Sequence, residues 1–130
     1  MKNLPTISKI DGGAATLESN AFSLGNSQTL AFLFENADGA KLTVKVKASK
    51  DNGTAKAVPF VLKTVDTGET ENVEADGKEI ADAGAFLAIV TDRMFAHDEY
   101  DSAALSLSAD TGEIGTAYAL QSDPRYSGDE

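Results

Sequence analysis

The only histidine of the chain stands in an acidic run, Asp92-Arg93-Met94-Phe95-Ala96-His97-Asp98-Glu99-Tyr100-Asp101. A histidine beside a carboxylate can act as a general base. Here the two groups are adjacent in sequence, and adjacent residues of an extended chain point to opposite sides. No nucleophile accompanies them, so His97 reads as a solvated loop histidine. Asp98, Glu99 and Asp101, and Asp51 with Asn52, are oxygen donors of the kind a hard cation takes. Calcium needs roughly six to eight oxygens. Neither group supplies them at the spacing of an EF-hand loop, and both read as hydrated loops. Phosphate-cradling loops, paired-histidine zinc motifs and nucleophile elbows are absent. Among twenty-one carboxylates nothing selects a glycosidase-like pair. The expectation is no catalytic residues, no metal ligands, no cofactor and no enzyme activity.

The elements that would have to position any site are set by length and composition. At 130 residues the chain is the size of one domain. An apolar fraction of 42% suffices for one core, and with no tryptophan and six Phe that core is built of Val, Leu, Ile and Ala around phenylalanine. The absence of cysteine removes disulfides, thiolate catalysis and Cys-bound zinc together. Met1-Lys2-Asn3-Leu4-Pro5 lacks the apolar core of a signal peptide. The longest apolar run, 85–90, is far short of a membrane span. The expectation is a soluble protein made in a cytoplasm, with no membrane partner. A net charge of −10 argues against nucleic acid, whose binding depends on neutralising phosphates.

That charge is split along the chain. Residues 1–65 carry eight lysines against five carboxylates, a net of +3, and residues 66–130 carry three cations against sixteen carboxylates, a net of −13. The cations are also ordered. In Lys41-Leu42-Thr43-Val44-Lys45-Val46-Lys47-Ala48, odd positions are polar and even positions apolar. A period of two is a strand with one wet, cationic face and one buried face. Lys41, Lys45 and Lys47 then have two readings: a solvated strand whose lysines discourage edge pairing, or a docking face for an acidic partner.

Turn signals recur every 8–12 residues, at Asp11-Gly12-Gly13, Leu24-Gly25-Asn26, Ala37-Asp38-Gly39, Asp51-Asn52-Gly53, Thr67-Gly68-Glu69, Asp76-Gly77-Lys78, Ala83-Gly84 and Thr111-Gly112, where Gly and Asn/Asp accept positive φ. Between them the sequence predicts strands over 6–10, 29–35, 41–48, 58–65, 71–74, 86–91, 104–108 and 116–121, with one short helical turn within 92–102. Regular short strands imply an all-β fold, a single-domain β-sandwich of about eight strands, Ig-like or jelly-roll-like. Residues 29–35 and 41–48 are expected to pair as a hairpin across the turn at 36–39. Strands 30–34 and 86–90 are apolar on both faces and belong in the middle of a sheet. The predicted core is Leu30, Phe32, Leu33, Val44, Val46, Phe60, Leu62, Leu87, Ile89, Leu105, Leu107 and Tyr118.

The sandwich is expected to span 1–121, with 122–130 an extended C-terminal tail. Pro124 fixes its own φ and biases Asp123 to extended geometry. Arg125 and Tyr126 beside it are of the types enriched at interface centres. The tail is thus either a frayed end or a docking arm.

Thr43-Val44-Lys45-Val46-Lys47-Ala48-Ser49-Lys50-Asp51-Asn52-Gly53-Thr54-Ala55, followed by Val58-Pro59-Phe60, and the ending Asp123-Pro124-Arg125-Tyr126-Ser127-Gly128 resemble small structural proteins encoded among the head genes of tailed bacteriophages. The resemblance spans about residues 29–130, and the run 92–101 departs from the pattern. It implies a virion structural protein, foremost a decoration or cement protein that stabilises the capsid by bridging coat subunits. Its partners would then be the major capsid protein and other copies of itself, with no nucleic acid and no membrane. Its place would be the virion, after synthesis in the host cytoplasm. A head–tail connector or tail component is the alternative. A small carbohydrate-binding or hydrolytic β-sandwich is the alternative of another class, and the lack of tryptophan weighs against it.

Overall fold

Strict alternation of buried and open residues decides how this chain layers. The computed structural model describes residues 6–13, 15–23, 29–36, 41–50, 55–81, 83–91, 102–110 and 114–122. The acidic run 92–101 with its predicted helical turn, the pair Asp51 and Asn52, and Pro124, Arg125 and Tyr126 lie outside the described residues. Twelve strands and no helix occur among those described.

One sheet holds six strands in the order β1 (Thr6–Ile10), β12 (Ala117–Ser122), β4 (Thr29–Asn36), β10 (Gly84–Thr91), β7 (Phe60–Thr64) and β8 (Thr70–Val73). The second is centred on β11 (Ser102–Ala109) and β5 (Leu42–Ser49). Two short strands, β2 (Thr16–Glu18) and β3 (Phe22–Ser23), lie along the free side of β11, and two more, β6 (Lys56–Val58) and β9 (Lys78–Ile80), along the free side of β5. Every pairing is antiparallel.

The order of pairing identifies the topology. The first strand pairs with the last, β1 with β12. The second region, β2 and β3, pairs with β11, then β4 with β10, and β5 with β6 and β9. Successive pairs fall in alternate sheets. The chain is therefore one long antiparallel hairpin wound into two layers, which is a jelly roll. β7 and β8 extend the first sheet beyond β10. The β-sandwich read from turn spacing is what the protein forms, and of its two variants the jelly roll is the one built.

The core lies between the layers. Leu30, Phe32 and Phe34 of β4, Phe60 and Leu62 of β7, Phe86, Ala88 and Val90 of β10 face Val44, Val46 and Ala48 of β5 and Leu105 and Leu107 of β11, all buried. Phe34 stacks on Phe86 at 5.8 Å, and Phe22 meets Phe32 edge-on at 6.0 Å, offset arrangements that suit the ring quadrupole.

Two expectations are overturned. Residues 29–36 and 42–49 do not form a hairpin, because β4 pairs with β10 and β12 in one sheet while β5 pairs with β11, β6 and β9 in the other. Stacked sheets lie about 10 Å apart, and the chain changes layer between Asn36 and Leu42. This change lets the inward faces of both strands share one core. Secondly, Leu33, Leu87, Ile89 and Tyr118 are not core residues. They alternate with buried neighbours and so point outward from the first sheet, Tyr118 with 37% of its surface open. The strands β2, β3, β6 and β9, at two or three residues each, are too short to show a period.

Gly77 fixes the turn that returns the chain from β8 to β9. Its φ is +93°, and a Cβ there would stand 2.6 Å from the Val44 carbonyl oxygen and 2.7 Å from Lys45 Cγ. Backbone cannot yield as a side chain can. Gly77→Ala should cost roughly 2–4 kcal/mol, combining left-handed strain with overpacking, and a urea midpoint measures it.

Candidate functional site

The two outer faces of the sandwich differ in chemistry, and the register places every residue on them. On the six-stranded sheet, cross-strand neighbours form two rows. One runs Ile7, Leu120, Ala31, Ile89, Val61, Asn72, and the next runs Lys9, Tyr118, Leu33, Leu87, Lys63, Thr70. Ile7 is 63% exposed and Val65, just beyond β7, 44%. Leu33, Leu87, Ile89, Val61 and Leu120 are partly open. The centre of this face is an apolar stripe across five strands, with Lys9 and Lys63 near its two sides. At one end, Leu33, Glu35, Ala85, Thr116 and Tyr118 border a shallow groove.

The outer face of the second sheet is its opposite. Its rows are Thr16, Ser108, Thr43, Glu79; then Glu18, Ser106, Lys45; then Ala104, Lys47, Ala57. Among the described residues of these rows nothing apolar is larger than alanine. The predicted lysine face is therefore real: Lys45 and Lys47 stand on it and Lys41 precedes it, exposed. Part of its charge is paired, however. Lys47 Nζ lies 3.4 Å from Glu18 Oε1, the Ser106 hydroxyl donates to Glu18 Oε2, and Lys41 shares a polar cleft with Glu79 and Asp110. The Lys47–Glu18 pair is solvent-exposed, and such pairs contribute about 0–1 kcal/mol. Lys47→Ala should accordingly move the unfolding free energy by no more than about 1 kcal/mol in a denaturant titration.

Pro124, Arg125 and Tyr126 lie outside the described residues, and so does His97. Among the described residues, no group of three or more His, Cys, Asp or Glu is placed to hold a metal ion. The apolar outer face escaped the sequence reading although its signal was present. Residues 30–34 and 86–90 are apolar at odd and even positions alike, a pattern that marks a strand covered on both sides. Among the described residues only one side is covered. A contiguous exposed apolar patch on a protein of this size marks an interaction surface.

No protein-family model matches the chain, and no curated protein matches it in sequence. Among solved structures, the SPBc2 prophage-derived protein YomS is similar over 94% of this chain and 98% of its own, with a TM-score of 0.55 at 11% identity. That likeness shows a shared fold. A chain of infectious bursal disease virus, Gx strain, aligns over 99% of this chain and 35% of its own at 12% identity with a TM-score of 0.41. A protein of Bacillus endospore appendages, described as disulfide-linked pili, covers 95% of this chain and 93% of its own at 13% identity with a TM-score of 0.37.

Proposed function

We propose that the protein is a non-enzymatic structural component of a tailed-phage virion, a decoration protein that binds the head shell and bridges coat subunits. The observation that carries this reading is the asymmetry of the sandwich. One outer face is apolar and the other is polar, with Lys47 paired to Glu18, which suits a protein that lies on a surface with one side down and one side wet. Docking proceeds by burial of the Leu33, Leu87, Ile89 and Tyr118 face, with no turnover. The major capsid protein is the partner, and nucleic acid and membrane are not. The fold shared with a prophage-derived protein and the phage-like motifs at 43–60 and 123–128 agree with it.

The tail fits the same scheme. β12 belongs to the docking sheet and ends at Ser122, so Pro124, Arg125 and Tyr126 follow a strand of that sheet. In this proposal they form an arm to a neighbouring subunit, Arg125 meeting a carboxylate with its planar fork.

Co-sedimentation with empty shells assembled from the coat protein of the same virus tests the proposal. Saturation in proportion to the number of coat subunits is expected. Binding confined to one vertex would make the protein a connector, and no binding would reject the proposal.

A further inference from the structure

We propose that two copies join edge to edge through β1, forming one continuous twelve-stranded sheet whose outer face is apolar across both copies. Ile7 is the most exposed large hydrophobic residue among those described, at 63%. It sits on the outermost strand of the six-stranded sheet, and among the described residues no strand pairs with the side of β1 away from β12. An edge of this kind is a template for another strand. The other edges offer less. β8, at the far side of the same sheet, is Thr70-Glu71-Asn72-Val73, and Glu71 is paired with Lys78 at 3.0 Å. Each edge of the second sheet is divided between two strands of two or three residues. β1 has five residues and one charge, Lys9.

Symmetry and charge select the register. A two-fold axis normal to the sheet keeps both apolar faces on one side, and the strands then run antiparallel. Centred on Lys9, the pairing would set two ammonium groups opposite each other, and like charges directly opposite are unfavourable. Centred on Ser8, it would set Ile7 against Lys9. Centred on Ile7, it sets isoleucine against isoleucine and Thr6 against Ser8, a ladder of three residues from each copy. The row Ile7, Leu120, Ala31, Ile89, Val61 then runs unbroken through both copies.

Area supplies the second argument, which rests on the shell-docking reading. Six strands about 4.8 Å apart, with two rows of side chains about 7 Å apart, present roughly 400 Å². A stable interface needs about 800 Å² from each partner. One copy falls short by half, and two copies joined through β1 reach the requirement.

The chain contains no cysteine, so a single introduced thiol reports the register. Directly opposite Cα atoms in an antiparallel pair lie about 4.5–5.5 Å apart, within disulfide reach. Ile7→Cys should cross-link to a dimer under mild oxidation. Lys9→Cys, separated from its symmetry mate by four residues or about 14 Å along the pair, should not, nor should Val65→Cys, exposed on the other side of the sheet. In sedimentation without shells, the unmodified protein should be a dimer and Ile7→Lys a folded monomer with an unchanged far-UV spectrum. A monomer at every concentration, or equal cross-linking of all three cysteine variants, would overturn the proposal. A dimer that fails to bind shells would leave the pairing standing and reject shell docking. Shell binding by Ile7→Lys at full affinity would do the reverse to the area argument and overturn the pairing's role.

Discussion

Phe32→Ala is expected to remove about 3–5 kcal/mol of folding stability, which is a large part of the 5–15 kcal/mol that holds a domain of this size together. Phe32 is fully buried, at 0% exposure. It lies in the middle of β4, third of six strands, and its ring packs edge-on against Phe22. It belongs to the buried cluster that β5 and β11 side chains complete from the other layer. Truncation leaves a void that rigid sheets on both sides cannot close, so the cavity adds to the lost transfer energy. Leu33 is the control. It is the next residue, of the same apolar class, but it points out of the sheet and is partly open. Leu33→Ala should cost less than half as much as Phe32→Ala in the same chemical denaturation series. Equal costs would mean that the outer face is covered in the folded monomer.

The second large effect concerns attachment. Leu33→Glu combined with Leu87→Glu places two carboxylates side by side in the apolar face, since these residues are cross-strand neighbours, and Lys63 opposite position 87 can pair with only one of them. Burying unpaired charge at an interface costs several kcal/mol per group. A loss of roughly 3 kcal/mol or more, about a hundredfold in affinity, is expected for binding to coat-protein shells. The thermal midpoint should change by only a few degrees, because both side chains face outward. The reversal Lys41→Glu, Lys45→Glu, Lys47→Glu acts on the opposite face and should weaken binding far less. A triple variant that loses more affinity than the leucine pair would transfer the docking role to the lysine sheet.

Several parts of this molecule were legible in its sequence for a physical reason. The period of two in 41–48 survives intact in β5, where Leu42, Val44, Val46 and Ala48 are buried and the intervening residues are open. Glycine turns marked where strands end, and Gly68 and Gly77 both adopt positive φ. What the sequence could not carry was partner choice. A strand's alternation says which of its faces is buried and nothing about which strand lies beside it. That is why 29–36 and 42–49 looked like a hairpin and are instead on opposite layers. The outer face shows the same limit from another side. Double apolarity in β4 and β10 reports a strand meant to be covered twice, and it does not distinguish a covering layer of the same chain from one supplied by a partner. Leu33, Leu87 and Ile89 read as core for that reason, and together with Tyr118 they supply the candidate site. The lysines were found by their spacing, but Glu18, which neutralises Lys47, is distant in sequence and brought near only by the pairing of β2 with β11.

An electron cryo-microscopy map of coat-protein shells saturated with this protein measures the orientation on which the account depends. The six-stranded sheet should lie against the shell, with Leu33, Leu87, Ile89 and Tyr118 at the contact, and Lys45 and Lys47 should face solvent. A map in which the lysine sheet contacts the coat, while the apolar face stands in solvent, would contradict it.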